Sequence, residues 1–554
     1  MRIVHNLSLS LTAALLAACG GQPTATPSVT SIVGTAAPVA TATALPTLTP
    51  TPEPVAFTLG LPGQVDTLDP ANAAEPSALL ITRHLYDGLT RYAPGGSAVE
   101  PALAESWVVS PDATAYTFTL RAGVTFSTGA AFDAAAARAN VERWLNRTPA
   151  GAYPYVPATF GGFADQVDSN GNPLSTVTAV NAPAADTLVI QLRAPDAALP
   201  ATLAMPAFAM VDPAAWASGL GTPGAGSAGT GAFRLRAWSQ PDLIELERNP
   251  STWAPAPTVD VLRFKIVADD AQRVIALQVD ELDGLAALPA TDGDIAAAWP
   301  VRTIVEPPQL VLYLGFNQNR RPWSTPACRQ AVALGLDRAA LAQAAGGASL
   351  ARAQFLTEGA PAPADLDQAR AAWAECVAQQ DAPIATPIAL YVPPIARGYL
   401  ADPAAFGAQL QGQLAAIGVE TTLVTTDWST QWLPDVQAGR ADLFVLGAGS
   451  LNGDPGSLLC PLFCGQNAAF NTGRDGLAIA PDDELAAVLA QARATPDLAA
   501  RLALYQQAEA LIAERLPALA ISSPSTTWAL RSDWQGEAIG PLEALFGTMT
   551  RLSP

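Results

Sequence analysis

The composition of this chain breaks sharply near residue 55, and that break confines any packed structure to the residues beyond it. Between Gly20 and Pro54 the chain is mostly Thr, Ala and Pro, with Glu53 as its single charge. Pro23, Pro27, Pro38, Pro46, Pro50, Pro52 and Pro54 each fix φ and remove a backbone donor, so neither helix nor sheet propagates through the segment. It also carries too little apolar surface to offset the entropy of ordering. An extended tether is predicted, with a reach of roughly 100 Å at ~3.1 Å per residue.

Upstream, Met1-Arg2 is followed by an apolar run from Leu7 to Ala18. This is the pattern of an export signal, and it is short of the ~20 apolar residues that a spanning helix needs. Leu16-Ala17-Ala18-Cys19 resembles the lipobox of bacterial lipoproteins. The resemblance implies cleavage before Cys19 and acylation of its thiol and new amino group, and several acyl chains suffice for stable anchoring. Residues 1–18 are therefore expected to be a signal peptide, and 19–54 a lipidated cysteine with its tether.

Charge and rare residues exclude several functions. The 554 residues carry 29 Lys+Arg against 49 Asp+Glu, a formal net charge of −20. No basic footprint for nucleic acid is present. Lys265 is the one lysine, so there is no polybasic lipid-binding tract either. Of the two histidines, His5 lies in the export signal, which leaves His84 to be read as a structural residue rather than a metal ligand. Half the residues are hydrophobic, enough for a large core. Besides Cys19 there are Cys328, Cys376, Cys460 and Cys464. An oxidising compartment makes two disulfides the expectation; three connectivities exist, and Cys460–Cys464 with Cys328–Cys376 is favoured. The spacing does not suit paired zinc ligands.

Periodicity predicts mixed α/β structure. Order begins near Val55, with a strand from Phe57. Tyr116, Phe118 and Leu120 share one strand face, and a hairpin is expected through Arg121-Ala122-Gly123 into Val124-Thr125-Phe126. Asp133 is placed to cap a helix whose Ala137, Val141, Trp144 and Leu145 form a buried stripe. Later, Phe406, Leu410, Leu414 and Ile417 line a helix that Gly418 stops, and strands are expected at 419–424 and 443–446. Such alternation argues for a mostly parallel sheet, whose ligands meet the loops beyond the strands' carboxyl ends, here residues 448–456. Amphipathic helices are expected at 483–492 and 497–514. The glycine-rich run from Gly219 to Gly231 lacks the Gly-Lys-Ser/Thr ending of a phosphate loop and reads as a surface loop.

Many short landmarks then come in order: Leu68-Asp69-Pro70, Leu85-Tyr86-Asp87-Gly88-Leu89, Pro101-Ala102-Leu103-Ala104-Glu105-Ser106-Trp107, Gly229-Thr230-Gly231-Ala232-Phe233, Glu247-Arg248-Asn249-Pro250, Leu336-Asp337-Arg338 and Gly439-Arg440-Ala441-Asp442. Together they resemble the solute-binding proteins of family 5, the oligopeptide, dipeptide and nickel receptors of ABC importers, over roughly residues 56–535. The resemblance implies an α/β, two-lobed periplasmic-binding-protein-like fold (type II, enlarged family 5 form) with a hinge and an interlobe ligand cleft. Residues 55–308 are expected to form the first part of lobe I, 309–515 lobe II, and 516–554 the return to lobe I. No catalysis and no cofactor or metal are implied. The implied partners are a peptide or small-molecule ligand and the permease subunits of the membrane, with a monomeric receptor at the periplasmic face or cell surface.

In peptide-binding relatives the loop after the strand resembling Leu443–Leu446 carries an Asp that pairs with the ligand's ammonium. Here the loop reads Gly447-Ala448-Gly449-Ser450-Leu451-Asn452-Gly453-Asp454-Pro455, and alignment on its Asp-Pro end puts that acid at Leu451 and an aromatic of some relatives at Ala448. A buried amine without an anion is costly. Either Asp454 or another acid substitutes, or the ligand lacks a free ammonium. Ala448, Gly449, Ser450, Leu451, Asn452 and Asp454 are thus candidate ligand residues, Asp454 also suiting a structural turn acid before Pro455. Trp428 stands where relatives place a ligand-facing aromatic. Leu68 and Asp69 approach the cleft by analogy. Peptide is the first ligand class. An oligosaccharide, an opine-like compound or a metal chelate is the alternative, and a lipid-tethered sensor or adhesion module is a further one. A secreted hydrolase is disfavoured, because no Gly-x-Ser-x-Gly elbow is present and His84 is the single histidine after the signal.

Overall fold

The computed structural model describes residues 53–148, 151–239, 241–288, 300–357, 359–464, 483–540, 542 and 544–552. The signal segment, Cys19 and nearly all of the tether lie outside the described residues. Among the described residues, twelve strands precede residue 308: β1 (Ala56–Leu61), β2 (Thr90–Tyr92), β3 (Val99–Pro101), β4 (Ala104–Val109), β5 (Ala115–Leu120), β6 (Val177–Ala184), β7 (Thr187–Leu192), β8 (Phe233–Ser239), β9 (Leu243–Arg248), β10 (Val261–Ile266), β11 (Gly284–Leu285) and β12 (Val301–Glu306). Beyond it come β13 (Leu310–Phe316), β14 (Ala348–Ala351), β15 (Ile388–Tyr391), β16 (Thr421–Val424), β17 (Leu443–Gly449) and β18 (Ala518–Arg531), before a few two-residue strands near the end.

One large sheet runs β16-β15-β17-β13-β18-β11-β1-β10-β9-β8, and β4-β5-β7-β6 make a smaller antiparallel one. The cores beneath them are separate. Phe57, Leu59, Leu246, Leu262 and Phe264 pack under the β1 side, and Tyr116, Phe118, Trp144 and Phe208 under the small sheet. Leu312, Leu314, Leu390, Val445 and Ile521 belong to another core, and Tyr313, Trp432, Phe444 and Tyr505 to a fourth. β18 serves both sides: Leu519 and Ile521 enter one lobe's core, Trp528 and Leu530 the other's. The molecule is therefore two-lobed.

The crossing between lobes is a two-stranded ribbon. β12 pairs antiparallel with β18 from Val301↔Arg531 to Glu306↔Thr526, and β13 resumes the ladder at Leu312↔Ser522. Between them lie Pro307 and Pro308, which have no N–H to donate, so the ladder breaks there. Opposite them β18 pairs instead with β14, from Ala348↔Ser525 to Ala351↔Ser522, so residues 307–309, outside any ladder, are the part of the crossing best able to bend.

The local expectations fare unevenly. The Asp133 carboxylate caps the helix Ala134–Asn146 by accepting from the N–H of Ala136 at 2.9 Å, and Ala137, Val141, Trp144 and Leu145 are all buried. Phe406, Leu410 and Leu414 line the buried face of the helix Pro403–Ala416, and Gly418 turns the chain at φ 91°. The expected 116–126 hairpin does not form. β5 lies between β4 and β7, and residues 124–126 instead fold back on 130–132, with Phe126 N–H donating to Ala130 O and Phe132 N–H to Val124 O. The side-chain alternation of β5 was legible; its neighbours were set by long-range pairing. The second lobe's sheet is mixed: β15 runs parallel to β16 and β17, whereas β13 is antiparallel to β17 and β18.

Candidate functional site

Strand direction gathers the site. Leu310, at the start of β13 beside the ribbon, pairs with Gly449 at the end of β17. β15 and β16 run parallel to β17, so the chain leaves all three strands toward the crossing. The loops 392–402, 425–428 and 450–455 therefore collect at the end of this sheet that faces the first lobe, the place where open α/β sheets hold ligands.

Packing there is close. A Cβ on Gly447 would stand 2.2 Å from the Tyr399 ring, and one on Gly449 2.6 Å from Leu310 Cδ2. Only glycine lets the 398–400 turn and the β13 start lie directly on β17. Burial pushes the Tyr399 hydroxyl up to about 12. Ala448 is half-buried against the same core as Trp428. The indole of Trp428 stacks on that of Trp432, with centroids 4.8 Å apart and planes at 18°, and Trp432 is fully buried. On Trp428 lies the guanidinium of Arg397, its carbon 3.7 Å from the ring centroid. Nε and Nη2 of Arg397 are buried and meet no acceptor among the described residues. A cation over an aromatic face with uncommitted donors suits an anionic or polar group that also stacks. Arg397 was missed in the sequence, where a lone Arg in a Pro- and Gly-flanked loop carries no periodic signal. Leu451 and Ile395, 36% and 50% exposed, add apolar surface in two of these loops.

The other predicted residues are committed elsewhere. Asp454 caps the helix Pro455–Phe463 by accepting from Gly456 N–H at 2.9 Å. Its carboxylate also takes Arg501 Nε at 2.9 Å and the Tyr505 hydroxyl at 2.7 Å. Burial, and next the Asp454 charge, push the Tyr505 phenol pKa up. With both oxygens engaged and the side chain 3% exposed, Asp454 is a buried structural acid. Ser450 Oγ accepts Gly453 N–H at 2.9 Å and lies 2.7 Å from Ser457 Oγ, so it ties the loop to itself. Asn452 is buried and points to the first lobe, where its Nδ2 donates to Thr202 Oγ1 at 2.9 Å. Leu68 is in the first lobe's core, and Asp69 is buried in an ion pair with Arg143, accepting also from Asn72 Nδ2 at 2.7 Å. The structure thus sets Trp428 and Ala448 against one core, with Arg397 on the Trp428 ring and Gly449 beside Leu310 at the end of the same sheet. The sulfurs of Cys328 and Cys376 are paired, as are those of Cys460 and Cys464.

His84 is buried. Its Nδ1–H donates to Leu80 O at 2.9 Å, and Nε2 accepts Phe546 N–H at 3.2 Å. Desolvation lowers its pKa to about 4. A cavity of about 720 Å³ lined by Pro308, Arg338, Leu350, Arg352 and residues 359–364 contains none of the predicted ligand residues. Among the described residues no group of three or more His, Cys, Asp or Glu is placed to hold a metal, and no helix is long and apolar enough to cross a membrane.

The fold and the loop cluster define a hinged binding protein. The model of the bacterial extracellular solute-binding proteins, family 5, matches residues 98–470, and the chain belongs to that family. It is 27% identical over 519 residues to di/tripeptide-binding protein 2 of Pseudomonas aeruginosa, covering 86% of this chain and 91% of that one. To the dipeptide-binding protein of Escherichia coli it is 26% identical over 479 residues, covering 83% and 87%. The solved structure of HbpA2 from Haemophilus parasuis superposes with a TM-score of 0.79 at 22% identity, over 90% of this chain and 99% of that one. The two sequence relatives are named as binding proteins.

Proposed function

We propose that this chain is the extracytoplasmic, lipid-anchored receptor of an ABC importer, capturing peptides between its lobes and delivering them to the membrane permease. In this reading residues 55–308 and 516–554 make the first lobe and 309–515 the second. Cys19 carries the lipid, the tether gives the body reach, and two disulfides brace the second lobe. The observation that supports the ligand class best is Arg397 lying on Trp428 with unmet donors. A peptide's terminal carboxylate would meet the guanidinium, and a flat or apolar residue the indole.

The amino end is treated differently. Leu451 offers no charge, and Asp454 has no free oxygen for an ammonium. Peptides with a blocked or distant amine are therefore the favoured ligands. The same two facts keep the second reading alive, an anionic non-peptide such as an opine-like compound or a metal chelate. A tethered sensor that never delivers cargo shares the cleft and differs in having no permease partner.

Mass spectrometry of the material that the purified protein releases on denaturation is the test, followed by thermal shift with Ala-Ala and N-acetyl-Ala-Ala. Recovered peptides, and a larger shift with the acetylated probe, are expected. Recovered sugars or chelates with no response to either probe would replace peptide by the second reading.

A further inference from the structure

The loop after β17 does two things at adjacent residues. Leu451 is 36% exposed, whereas Asn452, the next residue, is 5% exposed and turned to the other lobe. Both ends of the Asn452 amide are engaged: Nδ2 donates to Thr202 Oγ1 at 2.9 Å, and Oδ1 accepts Asp454 N–H at 3.0 Å. The one proton of the Tyr92 hydroxyl is shared between Ala201 O at 3.0 Å and Asn452 O at 3.3 Å, so the first lobe also reaches the backbone of the loop. Gly453 comes next at φ 77°, and a Cβ there would stand 2.5 Å from Leu542 Cδ1 and 3.3 Å from Ser97 Cβ. The seam continues at Ala197, whose N–H donates to Arg493 O at 2.7 Å. Beside it Asp196 is held in place through its carbonyl, which accepts the Tyr116 hydroxyl at 2.7 Å. Its carboxylate accepts Ala198 N–H at 3.1 Å and feels Arg493, Asp454 and Arg501 of the second lobe.

These contacts join the lobes away from the covalent ribbon. A two-lobed receptor's affinity depends on how much of the population stands in the arrangement that grips ligand. We infer that Asn452 is a positioning residue: it sets how the two lobes stand to each other through Thr202, and it acts on ligand affinity by that route rather than by touching ligand. The inference rests on the reading of the chain as a ligand-binding receptor, and its test has an arm that needs no ligand.

The variants are Asn452→Ala, Thr202→Val, their combination, and Thr202→Ser, which keeps the hydroxyl. In the ligand-free protein, the distance distribution between spin labels on Val108→Cys and Leu498→Cys is expected to change in the same way for Asn452→Ala and Thr202→Val. It should change no further in the double variant and stay as in wild type for Thr202→Ser. With N-acetyl-Ala-Ala as probe, each single variant should weaken binding roughly three- to tenfold, the size of one buried hydrogen bond, and the double variant no more than either. Unchanged spin-label distances in all variants would overturn the inference. So would an Asn452→Ala loss of binding that Thr202→Val does not share, because Asn452 would then meet ligand itself. If the wild type ignores the probe while the distances respond, the peptide reading fails and the positioning role stands.

Discussion

At the scale of single residues, chemistry depends on what each side chain has left to give. His84 has nothing left: both nitrogens are used inside the first lobe, and its pKa sits near 4 against 6.5 in an unfolded chain. A histidine whose folded pKa is depressed stabilises the fold above about pH 6.5, and that contribution is lost as pH falls toward 4. The loss amounts to about 3 kcal/mol by pH 4. Urea unfolding from pH 7 to 4 is expected to show it as the difference between wild type and His84→Gln; parallel curves would contradict the assignment. Arg397 is the opposite case, with donors unspent. Arg397→Ala is expected to weaken binding of N-acetyl-Ala-Ala roughly 10- to 100-fold at unchanged Tm, as for a lost charged hydrogen bond. Leu451→Asp should tighten binding of free-amine Ala-Ala by about tenfold, measured by calorimetry. No gain with the fold intact would mean that residue 451 does not face the ligand's amino end.

At the scale of elements, the helix Pro455–Phe463 is held by one carboxylate. Asp454 supplies its N-cap and neutralises Arg501, which is 9% exposed and anchored on the next-but-one helix, Leu498–Arg515. Asp454→Ala would leave that guanidinium buried without its anion, a loss of about 3–5 kcal/mol. Asp454→Asn should cost less, because the amide oxygen still caps the helix. Equal losses in chemical denaturation would show that the charge paired with Arg501, and not the cap, carries the stabilisation. Here the sequence was informative to a definite depth. Asp454-Pro455 read as a turn acid, because that pattern is local. Its partners Arg501 and Tyr505 lie 47 and 51 residues away and no spacing announces them. The same boundary explains the helix faces, legible from 3.6-residue periodicity, and the 116–126 hairpin, misread because strand partners are chosen by the sheet. Trp428 was singled out because similar proteins carry an aromatic at that place after the strand; Arg397 needed the fold to bring its loop onto that ring.

At the scale of the whole molecule, the crossing at 307–309 and the seam at Asn452 are two different restraints on the same pair of lobes. The first fixes connectivity and permits bending, since two prolines break the ladder; the second fixes an arrangement without covalent bonds. A ligand that touches both lobes adds a third restraint, and only its preference for one arrangement shifts the equilibrium. Binding must then appear as stability. At a ligand concentration 100 times Kd the native state gains about 2.7 kcal/mol. Unfolding a body of this size releases on the order of 1 kcal/mol of entropy-weighted free energy per degree near the midpoint, so the Tm rise is about 2–3 °C. The same saturation should narrow the Val108→Cys to Leu498→Cys spin-label distribution. A Tm rise without narrowing would place the ligand on one lobe alone, and the cleft between the lobes would lose its standing as the binding site.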